Sequence, residues 1–262
     1  MSIIEVTGNP RHDQLVHYIS ERGYMNIEEL AQLLDVSTQT VRRDIRKLSE
    51  QGLITRHHGG AGRVSSIMNT AFEQRELSLI QEKEAIAEAV ADYLPERCTV
   101  FITIGTTVEA VARALLNRRD LRIITNSLRV AQILYKNQDL EVMVPGGTLR
   151  AHNGGIVGPG AVNFIEGFRA DYLITSIGAI EEDGTLLEFD VNEALVAKTM
   201  IKHARNTLLV ADHTKFAASA AVSIGNMRKI RAFFTDAQPP NSFKQLLDLE
   251  NIELVIADQE TT

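Results

Sequence analysis

The stretch Ser37 to Gly62, STQTVRRDIRKLSEQGLITRHHGGAG, decides the fold. Ser37 or Thr38 can cap a helix, because a short hydroxyl side chain accepts a bond from a first-turn amide that has no partner of its own. Val41, Ile45 and Leu48 then recur at helical spacing until Gly52 stops the pattern. At about 100° per residue Ile45 and Leu48 fall within roughly 40° of Val41. Gln39, Arg43 and Arg46 lie near the opposite side, flanked by Arg42 and Lys47. The helix therefore has one narrow apolar stripe and a basic reverse face. Its leading end carries Thr38, Gln39 and Thr40, and that end is the one a recognition helix inserts into the major groove.

Reading upstream, Leu15, Tyr18 and Ile19 mark a first helix over residues 11–22, ended by Gly23. Ile27, Leu30, Ala31 and Leu34 mark a second over 27–34, followed by a tight turn at Asp35, Val36 and Ser37. The order is helix, turn, basic helix. Downstream, Gly52 to Gly62 predicts a short β-hairpin wing in which Arg56, His57, His58 and Gly59 approach phosphate. Adjacent histidines have no metal-ligand spacing, so a polar wing outweighs a metal site. Arginine can donate two parallel bonds to guanine and glutamine can pair with adenine, while the remaining cations neutralise phosphates. Asp44 lies near the apolar stripe and points away from the reading face, as an internal salt-bridge partner would.

Charge supports this reading once it is localised. The chain of 262 residues carries a net −7, which taken as an average argues against nucleic acid. Residues 1–63 are balanced, and residues 37–63 hold six basic side chains against two acidic ones, so all of the excess acid lies after residue 63. A charge run is usually a solvated helix face. Here the cations face away from the apolar stripe and toward any DNA. No tract nears the roughly 18 apolar residues of a membrane helix, and MSIIEVTGNP does not read as a secretory signal, which points to a cytoplasmic protein without a membrane partner. The lone Cys98 sits in the apolar run CTVFIT, as a buried structural thiol does, and forms no internal disulfide or multi-cysteine metal site.

The run STQTVRRDIRKLSEQGLITRHHGGA resembles the winged helix-turn-helix of the DeoR family of bacterial repressors. The resemblance implies sequence-specific binding of double-stranded operator DNA through Ser37 to Lys47, with support from Arg56 to Gly60. The DNA-binding domain spans residues 8–63 and a linker spans 64–72.

From residue 73 a long helical pattern runs to about Leu94 and is closed by Pro95. Apolar runs then alternate with amphipathic ones: TVFIT, LRIIT, EVMVP, YLITSIGAI, NTLLVAD, KIRAFFT and IELVIAD, most of them followed by a helical stretch. Strands alternating with helices predict an α/β fold with an open, doubly wound parallel sheet and ligand chemistry at the carboxyl ends of its strands. Three strand ends carry small or hydroxyl residues: Gly105, Thr106 and Thr107; Asn126 and Ser127; Gly146 and Gly147. One such turn is often just tight geometry, whereas three on one edge favour a phosphorylated small ligand. Glu188, Asp190, Glu193 and, in ADHTKF, Asp212 could accept polyol hydroxyls, with helix capping an equal reading for Asp190, and Lys215 is the candidate phosphate cation.

The larger region, residues 73–262, also resembles the DeoR-family effector domain, which implies the fold of ribose-5-phosphate isomerase and a dimer or tetramer. LLEFD, NGGIVGPGAVNFI and TDAQPP resemble members that respond to glycerol 3-phosphate, which is the implied effector. The chain departs from the family pattern at Thr103, Ala197 and Ala217. A repressor responding to another sugar phosphate is the nearest alternative. An isomerase or deaminase is a further one, with Glu188, Asp190 or Glu193 as base, but no catalytic constellation, metal set or cofactor motif is legible.

Overall fold

The computed structural model describes residues 7–22, 24–57, 59–62, 72–216 and 218–257. Three helices come first: α1 (Pro10–Arg22), α2 (Ile27–Leu33) and α3 (Thr38–Glu50). Strand β1 (Tyr24–Asn26) joins a hairpin of β2 (Thr55–His57) and β3 (Gly60–Gly62) in an antiparallel sheet of order β1-β3-β2. The hairpin wing was legible, but β1 was not, because three residues are too few to display an alternating pattern. Val41, Ile45 and Leu48 pack with Leu15, Ile19, Met25, Leu30 and Ile54 in a core drawn only from residues 15–61. Asp44 is buried beside α1, where Arg11 Nε donates to Oδ2 at 2.7 Å and His12 Nε2 lies 3.2 Å from Oδ1. Burial pushes the Asp44 carboxyl up, yet the bonds and charges of Arg11 and His12 outweigh it and hold the group below its usual range.

Beyond the linker, α4 (Phe72–Glu76) and α5 (Ile80–Tyr93) precede β4 (Thr99–Ile102), α6 (Thr106–Ala114), β5 (Leu121–Thr125), α7 (Leu128–Leu134) and β6 (Leu140–Met143). A small hairpin, β7 (Thr148–Leu149) and β8 (Ile156–Val157), leads into α8 (Pro159–Glu166) and β9 (Ala170–Thr175). Then come β10 (Ala179–Ile180), β11 (Thr185–Glu188), α9 (Val191–His203), β12 (Ala204–Val210), β13 (Val222–Asn226), β14 (Ala232–Thr235), α10 (Asn241–Leu249) and β15 (Glu253–Ile256). Seven strands form one parallel sheet of order β15-β14-β12-β9-β4-β5-β6. Its strands are buried on both faces, as a parallel sheet requires. Val100 and Ile102 pack toward α5 and α6, while Phe101 between them packs toward α8 and α9. The chain moves outward from β4 through β5 and β6, then returns to the other side of β4 with β9 and continues through β12. The order reverses between β4 and β9, and such a reversal leaves a crevice at the carboxyl ends.

Three boundary expectations change. The helix read from Glu73 to Leu94 is two helices, broken where Leu79 adopts a left-handed φ of 51°. Buried Lys83 bridges the break by donating to the carbonyl oxygens of Arg75 and Ser78. YLITSIGAI is not one strand, because Gly178 N–H turns aside to Leu187 O at 2.8 Å and starts a second sheet of order β10-β11-β13. Phe72, assigned to the linker, is the buried first residue of α4, and the rest of that linker lies outside the described residues. Cys98 is buried, and desolvation with the nearby Asp171 charge pushes its thiol up to about 11. Among the described residues no helix is long and apolar enough to cross a membrane, and no three His, Cys, Asp or Glu side chains are grouped to hold a metal.

Candidate functional site

Two sites emerge, one on each domain. On α3 the leading serine is a cap: Ser37 Oγ accepts from Thr40 N at 3.1 Å and lies 2.9 Å from Thr40 Oγ1. Those two hydroxyls hold the helix start, while Thr38, Gln39, Arg42, Arg43, Arg46 and Lys47 stand exposed around the face opposite Val41. Arg46 is steadied by Glu50 one turn on, Nε to Oε1 at 3.0 Å, an exposed pair that water and DNA phosphate can exchange. Arg56 is exposed on β2, and Gly59 takes a φ of +90° in the wing's turn. The His57 side chain and all of His58 lie outside the described residues. One exposed helix face and one wing residue thus present cations with room to reach phosphates and base edges.

The second site is a cavity of about 50 Å³ at the carboxyl ends of β4, β9 and β12, room for a handful of waters. Gly105 makes the turn from β4 into α6 with φ +139°; a Cβ there would meet Ser176 Oγ at 2.3 Å, so the close approach of the β4 and β9 ends depends on glycine. No side chain caps α6. Thr106 and Thr107, in its first turn, line the cavity at the positive end of the helix dipole. Ser176 and Gly178 come from the β9 end; Asp212, Thr214 and Lys215 from the β12 end; Arg75, Ser78 and Lys83 from the α4–α5 break. The wall opposite is Glu50, Gln51 and Gly52, the last turn of α3 and its stop.

Charge in this cavity is confined rather than solvated. Burial lowers the affinity of Lys215 and Arg75 for their protons, partly countered by Asp212 and Glu188, and it brings Lys83 down to about 8. Burial raises Asp212, but Lys215, the Thr214 hydroxyl and neighbouring cations outweigh it and keep the carboxyl ionised. Glu188 goes the other way: desolvation and the Glu193 charge push it up to about 7, against the pull of Lys215 and Arg75. Arg75, Lys83 and Lys215, each with its hold on a proton weakened by burial, thus share this region with the ionised Asp212 and the raised Glu188. Such a site offers positive charge to an anion and acceptors to hydroxyl groups. The His213 imidazole lies 2.5 Å from Asp236 through Nδ1, which pins the segment bearing Lys215.

The structure sorts the sequence candidates. Thr106, Thr107 and Lys215 line the cavity, Gly105 shapes it, and Glu188 couples to its charges. Asn126 and Ser127 do not reach it: the Asn126 backbone and side chain bond Ile156, and Ser127 caps α7 through Val130 N at 3.1 Å. Gly146 and Gly147 pack under the β7–β8 region and α8. Asp190 is the N-cap of α9, accepting from Asn192 N and Glu193 N, and pairs with Arg150 at 2.8 Å. Glu193 is held by Arg150 at 3.0 Å and Asn153 at 2.9 Å. Among the family departures, Thr103 is buried with its hydroxyl on Thr175, Ala197 is buried in α9, and Ala217 lies outside the described residues. Asp212, read with Lys215 in ADHTKF, lines the cavity as well, whereas Arg75, Lys83, Ser176 and Gln51 were missed. Lys83 had a readable signal, since it sits on the same helical stripe as Ile86, Ala87 and Val90, where a solvated lysine does not belong.

Comparison with known proteins agrees with this division. Residues 11–67 match the family model described as a DeoR-like helix-turn-helix domain, and residues 78–237 the DeoR C terminal sensor domain. The chain is 70% identical over 260 residues to the HTH-type transcriptional repressor CsqR of Escherichia coli (strain K12), covering 99% of this chain and 100% of the relative. It is 45% identical over 244 residues to the glycerol-3-phosphate regulon repressor of the same organism, covering 93% and 97%. Ribose 5-phosphate isomerase A from Neisseria gonorrhoeae is a remote structural neighbour, with a TM-score of 0.39, 15% identity and coverage of 51% and 52%, too slight to bear on function.

Proposed function

The chain belongs to the DeoR family of transcriptional repressors, and from that premise we propose that a small phosphorylated, hydroxyl-bearing molecule fills its sensor-domain cavity and releases it from operator DNA. The observation that carries this reading is the uncapped start of α6, with Thr106 and Thr107, lining one cavity with Lys215 and Arg75. The helix start, its dipole and the buried cations bind a phosphoryl group, and the Asp212 carboxylate accepts hydroxyls from its carbon skeleton. Glycerol 3-phosphate is the first probe, because a relative at 45% identity carries it in its name. Other sugar phosphates come next, because the relative at 70% identity is named differently.

On the DNA side, Gln39, Arg42, Arg43, Arg46 and Lys47 enter the major groove and Arg56 contacts phosphate from the wing. A dimer or tetramer presents two such helices about 34–36 Å apart, so operator half-sites fall one helical turn apart or at multiples of it. Release requires the ligand to favour the arrangement that binds DNA poorly, since coupling between two sites is reciprocal. The test is a gel-shift titration on an operator selected from random-sequence duplex. Glycerol 3-phosphate should reduce operator affinity in a saturable way. Operator affinity unchanged through millimolar ligand removes it as effector and passes the question to the other sugar phosphates.

A further inference from the structure

One wall of the cavity comes from the DNA-binding domain. Gln51 is the C-cap of α3, its backbone N–H bonding Lys47 O and Ser49 O, so its position follows that of the reading helix. Gln51 lines the cavity together with Glu50 and Gly52, and Thr106, Thr107 and Lys215 line the same cavity. The carboxamide oxygen Oε1 is buried from solvent and has no hydrogen-bond partner. A buried acceptor left unpaired is costly, and each such group in a native structure needs an explanation. The surrounding cations are committed elsewhere or lie across the cavity: Lys83 is spent on the carbonyls of Arg75 and Ser78, and Lys215 faces Asp212.

We propose that Gln51 is a ligand-contacting specificity residue, whose carboxamide oxygen accepts a hydrogen bond from a hydroxyl of the bound effector. This rests on the cavity being the effector site. It narrows the ligand class, because an acceptor oxygen rewards a hydroxyl donor and gives nothing to a fully ionised anion without one. It also gives the signal a short route. A ligand bonded at one end to Thr106, Thr107 and Lys215 and at the other to Gln51 ties the end of α3 to the sensor sheet. Glu50, beside Gln51, is the residue that steadies Arg46 on the reading face. The ligand thereby sets the orientation of the reading helix within one chain, without first changing the spacing between chains.

The experiment is a calorimetric titration of the full chain with two probes, glycerol 3-phosphate and inorganic phosphate, on wild type, Gln51→Leu and Lys215→Ala. Gln51→Leu should weaken glycerol 3-phosphate by about fivefold, the worth of one hydrogen bond, and leave inorganic phosphate within about twofold. The readout is the ratio of the two affinities, which a folding defect would lower together and leave unchanged. Lys215→Ala should weaken both probes alike. If Gln51→Leu keeps the wild-type ratio while Lys215→Ala loses both ligands, the cavity stands as the anion site and the role of Gln51 is overturned. If wild type binds neither probe at millimolar concentration, the anion-site reading falls and the role of Gln51 falls with it. Hydrogen exchange supplies a second reading: glycerol 3-phosphate should slow exchange at residues 50–54 in wild type and not in Gln51→Leu. Equal protection in both proteins overturns the contact.

Discussion

The two domains use the same residue types in opposite ways. On α3, Arg42, Arg43, Arg46 and Lys47 are exposed, and the one fixed partner among them, Glu50, is exposed as well. In the sensor cavity, Arg75, Lys83 and Lys215 are packed around Asp212 and Glu188, and burial shifts each of them. Exposed cations are screened by salt and gain their worth when DNA phosphates release counterions. Buried cations are costly until an anion arrives, but they bind it without reorganising. A net charge averaged over both domains hides this contrast, which is why −7 coexists with a DNA-binding face.

The separateness of the two domains is the first point to attack. Asp44→Ala strands Arg11 and His12 beside a buried gap and should destabilise the helical domain by about 3 kcal/mol. Denaturation followed by circular dichroism should show an early helical transition with the later, sheet-domain transition unmoved. A single transition shifted as a whole would mean that the two cores are not independent. Next in size, Lys215→Ala should weaken phosphate-ester binding by about 2 kcal/mol while leaving ligand-free operator affinity in place, measured by calorimetry and gel shift. Arg43→Ala should cost about 1–3 kcal/mol on the selected operator. An equal loss on random duplex would demote Arg43 to a phosphate contact and sharpen the contrast, since base reading would then rest on Gln39 and its other neighbours.

The smallest effect concerns Glu188. Its carboxyl is raised to about 7 in the folded chain, so the unfolded chain gives up the proton first as pH rises from the ordinary carboxylate range. Stability from this group is therefore full at low pH, falls through that window and stays lost above it. Glu188→Gln should be more stable than wild type by about 1–2 kcal/mol near pH ~8, discounted for partial exposure, and equal to it near pH ~4. Thermal melts across that range check both the sign and the window.

Much of the DNA-binding domain was open to sequence reading because its determinants are local. The apolar stripe of α3, its serine cap and the glycine stop are set by neighbours three and four residues apart. The role of Asp44 followed from the same wheel, although its partners Arg11 and His12 sit on another helix. The alternation of strands and helices was equally plain, and the break between α4 and α5 was not. Nothing in RELSLI interrupts a helical pattern; the bend depends on Leu79 turning left-handed and on Lys83 reaching back to two carbonyls.

The sensor-domain cavity divides along the same line. Thr106, Thr107 and Lys215 were recognisable because small or charged residues at strand tips are a local signal. Asn126, Ser127, Gly146 and Gly147 carry the same signal and serve the β7–β8 hairpin and the starts of α7 and α8 instead. From sequence alone, then, came the helix-turn-helix, the exposed basic face of α3, the parallel α/β class and the family. Tertiary structure decided which strand tips converge. Strand order, not strand content, sets where the sheet reverses, and β4, β9 and β12 become neighbours only once crossovers of tens of residues have closed. The same closure brings the end of α3 against the sensor sheet, where Gln51 meets a cavity that no neighbour in sequence foretells.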